Sequence, residues 1–275
     1  MPKLLLLFAC FAFLPLARAQ QAPKKPLDHS VYDQWESIAN QRISNDGKYV
    51  VFQIKPQQGD GTLYIKTASN RALKQISRGD SAVFTADSKF VAFLIKPLYK
   101  DVRQAKIKKK KPEDMPKDSL GVYALQTGKL TKYANVKSFQ LAEKASVLAF
   151  LATKMPTKDG AKKAPTDSLK KITDEPARNE KAGADLTVLN LSKGSSREFA
   201  AVTDYRLSKL GNKTAFAVAA PKNSKTVKSG LFVYDLASGD VKKASSGKGV
   251  YKNLAFDDAG QQLAFTAEKH PEKPW

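Results

Sequence analysis

The residues through which this chain could do chemistry are few and badly placed for it. Its only histidines are His29 and His270, close to opposite ends of 275 residues, and Cys10 is its only cysteine. A histidine-based triad or a multi-histidine metal centre has almost no material here. A hydrolytic serine of the α/β type needs a strained strand-to-helix elbow flanked by small residues, usually G-x-S-x-G, and no such string occurs. No phosphate-cradling loop or dinucleotide glycine fingerprint is present either. Carboxylates are plentiful, but Asp46, Asp87, Asp235 and Asp258 fall in short turns or at strand ends, where a structural role accounts for them. Nothing in their spacing picks out the convergent acid pair of a glycosidase. The expected catalytic, cofactor and metal residues of this chain are therefore none.

Those turns are copies of one another. ISNDGKYVVFQIKP (43–56) returns as FTADSKFVAFLIKP (84–97), LAEKASVLAFLATKMP (141–156), LSKLGNKTAFAVAAP (207–221) and FDDAGQQLAFTAEKHP (256–271). Each is a polar corner followed by an apolar run. Asp and Asn close such corners by bonding their own backbone, and Gly or Asn accepts a positive φ, so each copy predicts an antiparallel hairpin. A second hairpin lies between copies: GTLYIKTASNRALKQIS (61–77), LGVYALQTGKLTKYA (120–134), ADLTVLNLSKGSSREFA (184–200) and SGLFVYDLASGDVKKAS (229–245). Its returning strand is polar enough to be an outer edge.

Two hairpins make four strands per unit, and the first two units are offset by 41 residues, from Asp46 to Asp87. That period suits a four-stranded propeller blade. Tyr49 to Ile54 and Phe90 to Ile95 are apolar at nearly every position, which predicts burial on both faces. A single β-sandwich is the competing arrangement, but it gives no reason for a strong hairpin and a weak one to alternate in strict order. The fold class expected is all-β: a partial β-propeller of about four blades and the start of a fifth, spanning 43–275, with Lys-rich insertions at 100–117 and 154–182. The last unit lacks its second hairpin, so the sequence reads as the front of something longer.

The first residues have another purpose. Lys3, an apolar run from Leu4 to Leu16 and the small-x-small site Ala17-Arg18-Ala19 form a secretory signal, 1–19, cleaved after Ala19. The run is too short for a stable membrane span, and the residues around Cys10 suit a lipid anchor poorly. Cleavage leaves an exported, periplasmic or extracellular chain with no thiol, so stability must come from a packed core. Segment 20–42 reads as an N-terminal cap: Pro26 to Arg42 has Asp28 or Ser30 as N-cap and Val31, Trp35 and Ile38 at helical spacing, with Trp35 as a core plug.

The formal charge is +21, yet only eight of the 47 basic residues are Arg. The lysines concentrate in the two insertions and are not interleaved with aromatics, which argues against nucleic acid and for solvated, mobile loops, with anionic envelope contact as the other use.

The stretch from Leu27 to Lys66, with its YDQW segment running into the first repeat, resembles the N-terminal region of secreted prolyl oligopeptidase family serine peptidases of Bacteroidetes-type bacteria. The resemblance extends over most of 27–275. It implies a propeller that admits peptides or small unfolded chains to a C-terminal α/β-hydrolase domain. The family's Ser, Asp and His belong to that domain, and no position here corresponds to them; substrate-binding residues stay unassigned. The alternative is a non-enzymatic periplasmic propeller of the TolB type that binds a partner protein over its central funnel. Either way the chain by itself is expected to be inactive.

Overall fold

The computed structural model describes residues 32, 35–153, 183–220, 228–247 and 249–269. The described residues run back and forth as an antiparallel meander of sixteen strands. Blade 1 is β1 (Glu36–Ile43), β2 (Tyr49–Pro56), β3 (Thr62–Thr67) and β4 (Ala72–Ser77). Blade 2 is β5 (Gly79–Phe84), β6 (Phe90–Ile95), β7 (Asp118–Ala124) and the first half of β8 (Leu130–Leu141). The second half of β8 opens blade 3, followed by β9 (Val147–Ala152), β10 (Ala184–Asn190) and the first part of β11 (Ser195–Leu207). The end of β11 opens blade 4, with β12 (Lys213–Val218), β13 (Gly230–Asp235) and β14 (Val241–Ser246). The hairpin of β15 (Gly249–Phe256) and β16 (Leu263–Lys269) begins blade 5.

The register shows how one blade hands over to the next. Tyr133 pairs with Leu120 of β7, whereas Phe139 pairs with Phe150 of β9. Likewise Phe199 pairs with Leu186 of β10 and Tyr205 with Phe216 of β12. Between the halves sit Asn135 and Ala201, both at φ 57°, and Arg78 takes φ 63° where blade 1 gives way to blade 2. A side chain in the left-handed region is disfavoured, so its recurrence at equivalent positions marks an imposed bend. Each bend exposes a carbonyl that the residue just past the blade's second strand caps: Lys96 N–H donates to Arg78, Thr153 to Asn135 and Ala219 to Ala201, at 2.9 to 3.1 Å. Trp35 holds this position ahead of blade 1, accepting from Gln57 at 3.0 Å.

Four cores lie between the five blades. Val51, Leu63 and Ile65 of blade 1 meet Val91, Phe93 and Tyr123 of blade 2. Ala92, Leu120 and Val122 on the other face of blade 2 meet Val136, Leu148 and Phe150. Ala149, Leu151 and Leu186 meet Tyr205, Phe216 and Val218, and Ala215, Ala217 and Leu231 meet Tyr251 and Leu254. Alternate residues of β6, β9 and β12 thus serve two different cores, which is why these strands are apolar throughout.

Three expectations need correction. Segment 36–42, read as part of a helical cap, is strand: β1 supplies the innermost strand of blade 1, so the propeller starts at Glu36 and not at residue 43. Helical spacing misled because Trp35 and Ile38 are both exposed and mark no buried face; pairing with β2, through a bulge at Asn40 (φ 54°), decides the conformation. Trp35 is not a core plug; it is 58% exposed and meets Tyr32 edge-on at 4.9 Å. The insertion at 100–117 is not simply a mobile loop, since Tyr99–Ile107 forms helix α1, which buries its own Ala105. Asp28, His29, Ser30, Val31, His270, the 1–19 signal and the 154–182 insertion lie outside the described residues.

The repeated corner works as its composition predicts. In the five copies Ser44, Thr85, Ala142, Ser208 and Asp257 each donate a backbone N–H to the carbonyl five residues on, at 2.9 to 3.1 Å. The side chain at that position accepts the reciprocal N–H: Tyr49 to Ser44, Phe90 to Thr85, Lys213 to Ser208 and Gln262 to Asp257. In the fifth copy Asp257, not Asp258, therefore holds the turn, while Asp258 reaches across to Lys209. Thr85 is fully buried and also donates to Asp87 at 2.6 Å. Thr85→Val keeps the shape and strands the Phe90 amide, so it should cost about 1–3 kcal/mol in a urea titration. A loss below a few tenths would show that the corner does not depend on the hydroxyl.

Candidate functional site

The first strand of every blade lies innermost, because β1 touches β5, β8 touches β11 and β11 touches β15. These strands are not hydrogen-bonded to each other through their backbones, and side-chain amides join them instead. Gln53 donates to the Gly79 carbonyl at 2.9 Å and accepts from Asn40 at 3.1 Å, tying blade 1 to blade 2. Gln140 donates to the Tyr205 carbonyl at 3.2 Å and accepts from the Leu207 N–H at 2.9 Å, tying blade 3 to blade 4. Tyr205, 4% exposed, donates its hydroxyl to the Ala149 carbonyl and accepts from Ser138, both at 3.3 Å. Burial, with the nearby Asp204 charge in the same direction and the Ser138 hydroxyl against it, pushes this phenol up to about 12.

Two cavities open along these inner strands. One, of about 330 Å³, is lined by Asn40, Arg42, Ser81, Val83, Phe139 and Leu141 from blades 1 to 3. The other, of about 210 Å³, lies at the turn end between blades 3, 4 and 5 and is lined by Gln140, Glu143, Arg206, Ser208, Lys209 and Phe256. Across its mouth Lys209 meets Asp258 at 2.5 Å; their hydrogen bond holds the ammonium above and the carboxyl below their ordinary ranges. Amides, two guanidinium groups and scattered apolar side chains can hold a peptide-like chain by hydrogen bonds. They offer no activated nucleophile, and among the described residues no three His, Cys, Asp or Glu side chains group as metal ligands.

The carboxylates singled out in the sequence are spread around the turn face and do not converge. Asp46 accepts from Ser44 at 2.6 Å, which holds its carboxyl below the ordinary carboxylate range. Asp235 accepts from the Ala237 and Ser238 amides. Sequence reasoning missed Gln53, Gln140 and Tyr205. For Gln53 a signal existed: one amide in the otherwise apolar run YVVFQI.

The fold and site define a partial β-propeller of four-stranded blades with two cavities along its inner strands. No protein-family model matches the chain, and no curated protein matches it in sequence. Similar solved structures include the acylaminoacyl peptidase of Pyrococcus horikoshii, at 11% identity and TM-score 0.46, covering 90% of this chain and 38% of that one. The β-propeller domain of the Trilobed protease from Pyrococcus furiosus gives 14% identity and TM-score 0.48, covering 89% of this chain and 66% of that one. TolB from Acinetobacter baumannii gives 12% and 0.37, covering 83% and 48%. The chain thus spans well under half the length of that acylaminoacyl peptidase. At these values the likenesses add nothing to the architecture read from the strand order itself. Among the described residues no helix is long and apolar enough to cross a membrane.

Proposed function

We propose that this chain is the substrate-gating propeller of a secreted prolyl oligopeptidase-like serine peptidase, exported by cleavage after Ala19. The observation that carries the reading is the inner-strand face: strands tied together by Gln53 and Gln140 border cavities whose amide, guanidinium and apolar side chains offer contacts to a chain. Such an arrangement suits admission of peptides and small unfolded chains to a catalytic α/β-hydrolase domain, and exclusion of folded ones. The resemblance of Leu27 to Lys66 to that family supports the peptidase over a TolB-like binding role. Gating is thus assigned to this chain and peptide hydrolysis to the hydrolase domain.

Fluorophosphonate labelling tests this directly. The isolated 275-residue chain should take no label, whereas in extracts of the source organism a labelled polypeptide should yield tryptic peptides of 36–269. A labelled serine within the chain would place the nucleophile here and overturn the division of labour. Peptides of this chain found only in an unlabelled protein would overturn the peptidase reading.

A further inference from the structure

The connections of the meander fall on two faces. The turns that join the first to the second and the third to the fourth strand lie on one face, packed together: Ala68 donates to Lys48, Leu125 to Lys89, Leu191 to Ser146 and Leu236 to Asn212. The connections between second and third strands leave from the opposite face, and every long insertion of the chain is one of these. Charge is divided the same way. The turns at 44–48, 67–71, 85–89, 125–129, 142–146, 191–194, 208–212, 236–240 and 257–262 hold seven basic and six acidic residues, close to neutral. The single connection 96–117 holds nine basic residues against three acidic.

That connection is anchored. Asp60 of the neighbouring blade accepts the Tyr99 N–H at 2.9 Å, and the helix buries its own Ala105. Seven of its basic residues, Lys100, Arg103, Lys106 and Lys108 to Lys111, are exposed, and none forms an ion pair with a described residue. We infer that this face is a docking surface for an extended anionic polysaccharide, with these seven side chains as its contacts. Three features choose the partner. All seven lie exposed on the surface, where one extended polymer can reach them together, and the connection lines neither of the axial cavities described above. Six of the seven are Lys, point charges suited to a repeating acid group and not to bidentate reading, and the one aromatic on the helix, Tyr99, bonds Gln58 and does not form a stacking ladder for a nucleic acid strand. Among the helix's exposed side chains only Ile107, at 65%, is both large and apolar to that degree, too little to seat a helix in a lipid interface. Along the helix Lys100, Arg103 and Lys106 recur about every 4.5 Å of rise, each turned about 60° from the last, so their charges wind along the helix and lead into Lys108 to Lys111.

The acid group could be sulfate or carboxylate, so the test uses heparin and polygalacturonate as separate probes. The full chain should bind at least one of them with affinity that falls steeply with salt. K108Q/K109Q/K110Q/K111Q should weaken that binding at least tenfold and lower the slope of log affinity against log salt by about 3. K48Q/K89Q/K129Q/K193Q removes the same charge from the turn face and should change affinity less than about twofold, since the contacts lie elsewhere. K100Q/K106Q, a milder second variant, should weaken it to an intermediate degree. Equal weakening by the two quadruple variants would show a response to net charge alone and overturn the proposal. So would salt-insensitive retention, no binding to either probe, or preference for vesicles of anionic phospholipid over both polymers.

Discussion

Phe93→Ala should lower the unfolding free energy by about 3–5 kcal/mol, a large share of what a domain of this kind possesses. Phe93 is completely buried in the core between blades 1 and 2. It sits directly across the strand pair from Gly121 of β7, and its ring leans over the missing side chain. A Cβ placed on Gly121 would meet Phe93 Cε2 at 2.4 Å and Cζ at 2.6 Å. Gly121→Ala therefore overpacks the site and should cost about 1–3 kcal/mol. The two positions share one volume, so their effects are not additive. Phe93→Leu/Gly121→Ala should lose less than the sum of Phe93→Leu and Gly121→Ala measured singly, in urea titrations of the four proteins. Strict additivity would mean that the ring does not fill the glycine's space.

The same pair shows what the sequence could disclose and what it could not. The run FVAFLI announced a strand buried on both faces, and β6 is one, because an adjacent blade covers each side. The run YVVFQI made the same announcement, yet Phe52, Ile54 and Tyr64 are only half-buried, with Phe52 and Tyr64 stacked at 5.3 Å. Composition records that a strand is apolar; it does not record how far each of its faces is covered. The four-strand repeat was legible because every corner obeys one local hydrogen-bonding rule. The handover of β8 and β11 between blades was not legible, because Asn135 accepts a positive φ without announcing one, and Ala201, which has no such preference, takes its φ from the packing on either side. The axial site was hidden for a related reason. Gln53, Gln140 and Tyr205 join one blade to the next through partners 26, 65 and 56 residues away.

Tyr205 gives the second large effect, and its sign depends on pH. At neutral pH Tyr205→Phe removes the hydrogen bond to Ala149 and the acceptor for Ser138, and should cost about 0.5–1.5 kcal/mol. In the native protein this phenol is neutral until about pH 12, whereas in the unfolded chain it ionises near its ordinary 10.0. The folded pKa is the higher one, so the stabilisation from keeping the phenol neutral is complete below pH 10 and is lost as pH rises from 10 to about 12. Across that window the unfolded state alone releases a proton, and wild type should lose about 2–3 kcal/mol that Tyr205→Phe does not lose. Lysines titrate in both proteins and cancel in the comparison. Urea titrations of both at pH 9, 10.5 and 11.5 should therefore show wild type more stable at first, the gap closing, and the phenylalanine variant ahead at the last. A gap that stays constant would mean that the phenol reaches solvent, and that blades 3 and 4 are not sealed around it.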